Sequence, residues 1–371
     1  MCGAVLLPFN QASAAMPIPA APDVAAKNYY VVDFASGAVL AEKNPDVQVE
    51  PASITKMMTS YVVYKELEAG RLSMEDMVDI SEKAWRMGGS RMYLDVNTSV
   101  SVSELMKGLI IQSGNDASVA LAEQVAGTED AFVQLMNQYA QDLGMKNTNF
   151  VNSTGWPDKQ HLMSARDIAI LAAAIIREFP DYYQEYAVKE FTYNNIKQYN
   201  RNKLLWRDST VDGMKTGHTD SAGFCLVASA VRSDMRVISV VLGTDSKKSR
   251  ASVSQALLNY GFRFFESHTL YEADEVLSRP RVWSGEFETV TVGLAGDLSI
   301  SIPRGAYDDL DATMDIDTNI EAPIEKGQQV GEVKVSLDGK VLESVPLVAL
   351  ETVNEGNLFQ QVKDYVLRML Q

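Results

Sequence analysis

The sequence has few of the residues that hold metals or staple small folds. In 371 residues there are 2 cysteines, Cys2 and Cys225, and 3 histidines, His161, His218 and His268. Two thiols cannot build a disulfide framework, and so few histidines make a His-rich metal site improbable. Neither a metal nor a cofactor is expected. Positive charge is also scarce: 33 Lys+Arg against 49 Asp+Glu leave a formal net charge of −16, which argues against a nucleic-acid partner. No apolar run approaches the ~20 residues of a membrane-spanning helix, so any membrane contact would be peripheral. What remains is an ordinary globular composition, 46% hydrophobic and 22% charged, long enough for roughly two or three domains. Chemistry must then rest on Ser, Lys, Arg, Asn or carboxylates.

Residues 1–15 carry a short apolar run followed by Ala12-Ser13-Ala14, and they read as the end of an export signal that takes Cys2 with it. Cys225, inside Phe224-Cys-Leu-Val-Ala228, is expected to be buried and inert. Residues 29–34 and 38–41 flank Ser36-Gly37 as a hairpin. Helical patterns follow at 53–69, at 103–126 with a break near Ser113, at 129–143 and at 164–178. Asp167 fits a capping box reaching back to Ser164. Strand-like runs occupy 222–231 and 236–242, and a helix over 249–266 closes the region. The expectation is an antiparallel sheet covered by helices. From about residue 267 the pattern becomes short alternating strands at 288–292, 298–302, 330–336 and 341–347, a small all-β domain. The last residues form an amphipathic helix whose stripe of Leu358, Phe359, Val362, Val366, Met369 and Leu370 either docks on the β-domain or lies in a bilayer interface.

A serine followed three residues later by lysine occurs once, in Ser53-Ile-Thr-Lys56, just after Pro51. Positions i and i+3 share a helical face, so a neutral amine here could deprotonate a serine attacking a carbonyl. Making Lys56 half neutral at pH 7 takes roughly 5 kcal/mol, which burial and a second cation must supply. Two further motifs follow. Ser113-Gly114-Asn115 offers a hydroxyl and an amide at the helix break. Lys215-Thr216-Gly217 sits on or beside a strand, where Lys215 can be the second cation and Gly217 leaves room for a substrate backbone.

The ordered set of Ser-x-x-Lys, Ser-x-Asn and Lys-Thr-Gly is shared by β-lactamases and penicillin-binding proteins. Together with Gln112-Ser-Gly-Asn-Asp-Ala117, Asn200-Arg-Asn202, Leu204-Leu-Trp206, Gly213-Met-Lys-Thr-Gly-His-Thr219, the β-domain and the final helix, the sequence resembles the low-molecular-mass penicillin-binding proteins, serine D-Ala-D-Ala carboxypeptidases of the bacterial cell wall. The resemblance implies an α/β (α+β) penicillin-binding/β-lactamase-like domain at 24–266 after a remnant signal at 1–23. An all-β domain at 267–354 and a membrane-association helix at 355–371 would follow. It implies Ser53 as nucleophile, Lys56 as base and Ser113 as proton relay. Asn115 would hold the substrate amide, Lys215 would supply positive potential, and Thr216 and Arg250 would bind the terminal carboxylate. The residue after Gly217, His218, would lend its main-chain N–H to an oxyanion hole, and Arg201 would join the binding set. The implied partners are a peptidoglycan stem peptide ending in D-Ala-D-Ala, β-lactam inhibitors and the periplasmic face of the inner membrane.

Two other readings compete. A class A β-lactamase carries the same three motifs, but Gly114 stands where those enzymes usually have aspartate and no deacylating glutamate motif is evident. A catalytically silent wall-binding scaffold would need none of Ser53, Lys56, Ser113, Asn115 or Lys215. A Ser-His-Asp triad is disfavoured because no Gly-x-Ser-x-Gly elbow is present. The loop Trp85-Arg-Met-Gly-Gly-Ser-Arg-Met92 is expected to border the cleft.

Overall fold

A computed structural model describes residues 17–369. The run at 1–15 read as an export signal lies outside them, as does Leu370. The chain divides into two compact units, Ala20–Arg263 and a second that begins at Phe264.

The first unit is built on a five-stranded antiparallel sheet with strand order Val39–Lys43, Asn28–Asp33, Met235–Thr244, Gly223–Arg232, Val211–Thr219. The middle strands are buried on both faces, hence the near-continuous apolar runs Leu226 to Ala230 and Val237 to Leu242. Cys225 lies among them, fully buried, and burial pushes its thiol up to about 11. The Val211–Thr219 strand is an edge, so one row of its main-chain groups has no strand partner.

Helices cover the sheet. Ala165–Glu178 packs Ile168, Leu171, Ala172 and Ile175 toward the Asn28–Asp33 and Met235–Thr244 strands. Its cap is half of the expected box: Ser164 Oγ accepts from the Asp167 N–H at 3.1 Å, but the Asp167 carboxylate turns away to accept from Asn147 N and Thr148 Oγ1. The carboxylate gains two donors there, and the side chain pins a loop instead of closing its own helix.

The Lys56–Glu68 helix is buried on nearly every side, through Met57, Met58, Tyr61, Val62, Val63 and Tyr64. A helix apolar all round belongs in a core, and this one carries Lys56 in with it. The expected break near Ser113 is present. The Val102–Lys107 helix widens into a single π-turn over Gly108–Gln112, Ser113 takes left-handed angles (φ 66, ψ 38), and Asn115–Ala126 starts afresh.

In the second unit, Val292–Gly293, Lys340–Ala349, Gln329–Leu337 and Leu310–Ile316 form one antiparallel sheet in that order, and Phe265–Tyr271 pairs with Leu298–Pro303. The helix expected to reach residue 266 ends at Phe264, and the next residue opens a strand. The Leu358–Arg368 helix attaches by its polar side. Asp364, 8% exposed, accepts from Arg281 Nη2 at 2.7 Å and from Ser284 N at 2.8 Å, and Lys363 pairs with Glu288 at 2.6 Å. Leu358, Phe359, Val362, Val366 and Met369 face solvent, Leu358 and Phe359 at 78% and 80% exposure. No helix among the described residues is long and apolar enough to cross a membrane.

Candidate active site

The three motifs converge on a cleft of about 860 Å³ lined by Ser53, Ser113, Asn115, Thr216, Gly217 and His218 among others, with Lys56 and Lys215 buried beneath it. Ser53 sits in the 3-10 turn Ala52–Thr55 that leads into the Lys56 helix. The spacing of three does what it promised: Lys56 Nζ is 3.2 Å from Ser53 Oγ. The same nitrogen donates to Asn115 Oδ1 and to the Thr154 carbonyl, each at 2.6 Å. A neutral amine has two N–H bonds and one lone pair. The two short bonds consume the donors, and the lone pair is left for the Ser53 hydroxyl.

Electrostatics favour that neutral form. Burial is the main cause that brings Lys56 from 10.5 down to about 7, with Arg201 adding repulsion and Asp116 and Glu129 pulling the other way. The expectation named Lys215 as the second cation and left Arg201 out of that role. Lys215 and Lys56 repel each other, and Arg201 is a further cation that acts on both. Lys215 is itself driven well below its ordinary value, by burial first and then by Lys56, Arg201 and Arg250. Repulsion between two ammonium groups is mutual, so the buried pair favours carrying fewer protons than two isolated lysines would.

Lys215 Nζ donates to Ser113 Oγ at 2.7 Å and to the Thr216 carbonyl at 3.1 Å. Asn115 Nδ2 donates to Gly88 O at 2.7 Å, and Gly89, Ser90 and Arg91 line the cleft, so the loop at 85–92 does border it. Arg250, 5% exposed, donates to Gly217 O at 3.2 Å. Burial pulls its guanidinium down to about 10, partly offset by Cys225 and deepened by Arg201, and it remains cationic at neutral pH. Arg201 has no hydrogen bond or ion pair among the described residues, and it is held between two buried asparagines. Asn200 bonds the Tyr186 and Val188 carbonyls and Asn202 bonds that of Gly213. The Thr216 hydroxyl, also in the cleft, has no partner among those residues. A chain of net charge −16 thus concentrates unpaired cations in one cleft, an arrangement that calls for an anionic ligand group.

Gly217 lines the cleft and also has a close neighbour within this chain. A Cβ there would lie 2.7 Å from Pro51 O and 3.3 Å from the Ala52 Cβ, so its missing side chain admits the turn of this same chain that carries Ser53. The His218 ring is exposed and stacks on Phe224 at 3.9 Å, and no hydrogen bond links it to Ser53.

Sequence reasoning missed two supports. Thr154 contributes a main-chain carbonyl, which no side-chain motif announces; Asn152, whose Oδ1 accepts from Thr154 N, Gly155 N and Trp156 N, was the available sign of a tight turn. Asp116, 1% exposed, accepts from Met92 N, Tyr93 N and Leu94 N and so fixes the loop beside Asn115. Among the described residues no group of three His, Cys, Asp or Glu side chains could hold a metal.

Residues 15–246 match the family model described as D-alanyl-D-alanine carboxypeptidase, peptidase S11, and residues 265–355 match that of the penicillin-binding protein 5 C-terminal domain. D-alanyl-D-alanine carboxypeptidase DacA of Escherichia coli (strain K12) is 46% identical over 358 residues, covering 94% of this chain and 89% of the relative. DacF of Bacillus subtilis (strain 168) is 36% identical over 344 residues, 91% of this chain and 88% of the relative. The crystal structure of penicillin-binding protein 5 from Haemophilus influenzae superposes with a TM-score of 0.87 at 47% identity, covering 90% of this chain and 99% of that one. The chain therefore belongs to the serine-type D-alanyl-D-alanine carboxypeptidases of the S11 family. It has the penicillin-binding-protein fold, with the family's all-β second domain.

Proposed function

We propose that the chain removes the terminal D-Ala from peptidoglycan stem pentapeptides through an acyl-enzyme on Ser53. The observation that carries this is the Lys56 amine, 3.2 Å from Ser53 Oγ and bonded to Asn115 Oδ1 and the Thr154 carbonyl, so that its neutral form keeps a lone pair for the Ser53 hydroxyl. Lys56 takes the Ser53 proton as Oγ attacks the carbonyl of the penultimate D-Ala. The oxyanion forms against the main-chain N–H groups of Ser53 and His218, each worth roughly 3–4 kcal/mol. The C–N bond breaks, and the proton that Lys56 took passes through Ser113, which the Lys215 amine contacts, to the leaving nitrogen, so Lys56 is neutral again. Water then attacks the ester and gives a proton to the Lys56 amine, which passes it to Ser53 Oγ as the C–O bond breaks, regenerating Ser53. Asn115 holds the substrate amide. Thr216 and Arg250, with Arg201 nearby, receive the terminal carboxylate.

A β-lactam enters the same path as a strained amide, and its acyl-enzyme persists because the tethered leaving group obstructs water. A related solved structure, penicillin-binding protein D2 from Listeria monocytogenes in the ampicillin-bound form, has a TM-score of 0.61 at 28% identity, over 65% of this chain and 99% of that one. Exposed Leu358, Phe359 and Val362, on a helix whose Asp364 side is already docked, support attachment to the outer face of the cytoplasmic membrane from the periplasm.

The test is release of free D-alanine from a pentapeptide ending in D-Ala-D-Ala, with Ser53→Ala as control, and mass spectrometry of the intact protein after penicillin treatment. A long-lived adduct on Ser53 with D-alanine release supports the reading. Rapid β-lactam turnover without an adduct would make the protein a β-lactamase, and neither activity would make it a scaffold.

A further inference from the structure

One buried titratable side chain beside the nucleophile has no part in the mechanism above. His161 is 1% exposed, and its ring stands edge-on to Phe150 at 5.6 Å. The Val151 main-chain N–H can only donate, and it points at His161 Nδ1 at 3.2 Å, so Nδ1 is the acceptor. Nε2 then carries the hydrogen and donates to Thr55 Oγ1 at 2.7 Å. The Thr55 hydroxyl has its own hydrogen left and donates it to Ala52 O at 2.9 Å. The polarity of the whole chain, from Val151 to Ala52, follows from its first donor.

The end of that chain is a backbone that needs holding. Ala52, immediately before Ser53, has φ 50, in the left-handed region that costs a residue with a Cβ roughly 1–2 kcal/mol. The carbonyl the chain grips is Ala52's own. Gly155 gives it room, since a Cβ there would lie 1.9 Å from Ala52 O.

We infer that His161 is a positioning residue for the nucleophile: as the neutral Nε2–H tautomer it clamps Thr55 and Ala52 and so sets the turn that presents Ser53 to Lys56. The inference rests on the reading of Ser53 as nucleophile. An imidazolium would turn an N–H toward the Val151 N–H and break the first link. Burial holds the ring down to about 4, with Asp158 opposing and Lys56 reinforcing that shift, so the working form is neutral. His161 is not among the residues lining the cleft, which separates its role from that of a base.

The test uses the full chain and the rate of Ser53 acylation by a penicillin, per folded molecule. His161→Ala and Thr55→Val should each slow acylation about tenfold, the scale of a small misplacement of a reacting group. KM for the peptide and the pH midpoint set by Lys56 should stay where they are. The double variant should be no slower than either single one. His161→Gln, which can accept with Oε1 and donate with Nε2, should restore most of the rate. Nitrogen-15 NMR of the unsubstituted protein at pH 7 should show a neutral ring protonated at Nε2, a readout that holds even where the variants fail to fold. Unchanged acylation in His161→Ala and Thr55→Val, or a ring protonated at Nδ1, would overturn the inference. A missing Ser53 adduct in the unsubstituted protein would instead overturn the function itself.

Discussion

Lys56 Nζ lies 3.2 Å from Ser53 Oγ, and its two shorter bonds go to Asn115 Oδ1 and to the Thr154 carbonyl. That division of bonds makes the acylation rate report the protonation of one amine. With Lys56 brought down to about 7, kcat/KM should climb with pH and reach half its plateau near neutrality. Lys56→Arg keeps a cation that cannot be deprotonated, so acylation should fall about 10³-fold or more. Stopped-flow acylation across pH 5–9 measures both, and a flat profile would contradict the assignment.

Stability should carry the same signature. The folded pKa of Lys56 lies below its unfolded value of 10.5, so between about 7 and 10.5 the unfolded chain binds more protons. Folding should therefore strengthen by a few kcal/mol as pH rises through that window, with Lys215 acting in the same direction. Chemical denaturation of the first unit at pH 7 and pH 9 checks the sign, and Lys56→Met should flatten the slope.

Ser113 offers Lys215 a hydroxyl at 2.7 Å and little else in the fold depends on it. Ser113→Ala should slow D-alanine release about 10²-fold, the scale of lost proton transfer. Thermal melting should stay close to that of the unsubstituted protein, so activity and stability are to be measured on one preparation.

Arg250 and Thr216 are proposed to hold the terminal carboxylate, and a hydrogen bond to a charged group is worth about 1.5–3 kcal/mol. Arg250→Ala should raise KM for the free-acid peptide about tenfold or more. The C-terminally amidated peptide already lacks the charge and should be affected far less. Steady-state kinetics on the two peptides decides the matter.

The final helix predicts a separable property. Phe359→Ser combined with Val362→Ser should abolish co-sedimentation with anionic vesicles and leave hydrolysis of a soluble peptide unchanged. If those variants still sediment with lipid, the exposed stripe is not the attachment surface.

The candidate catalytic set was legible in the sequence because chemistry fixes residue type and local spacing. Ser53 with Lys56, Ser113 with Asn115, and Lys215 with Thr216 are each short motifs. Their convergence came through the resemblance, since nothing local ties position 56 to 115 or 215. What stayed hidden is tertiary. The Thr154 carbonyl has no side-chain identity, and the carboxylates of Asp116 and Asp167 act on loops distant in sequence. Phe265 and Glu266, which open the Phe265–Tyr271 strand, were read as the tail of the preceding helix because no glycine or proline separates them from Phe262-Arg-Phe264. Leu310–Ile316 was passed over because Asp311 and Asp315 dilute its alternation, which an edge strand with an exposed face tolerates.

A helix that grips its own domain through Asp364 and turns Phe359 outward is inside-out by the usual rule of folding. In water alone its oily side has only one readily available cover, the same side of another molecule. Concentrated, detergent-free preparations should consequently self-associate through this tail, and light scattering that vanishes when the tail is trimmed would expose it.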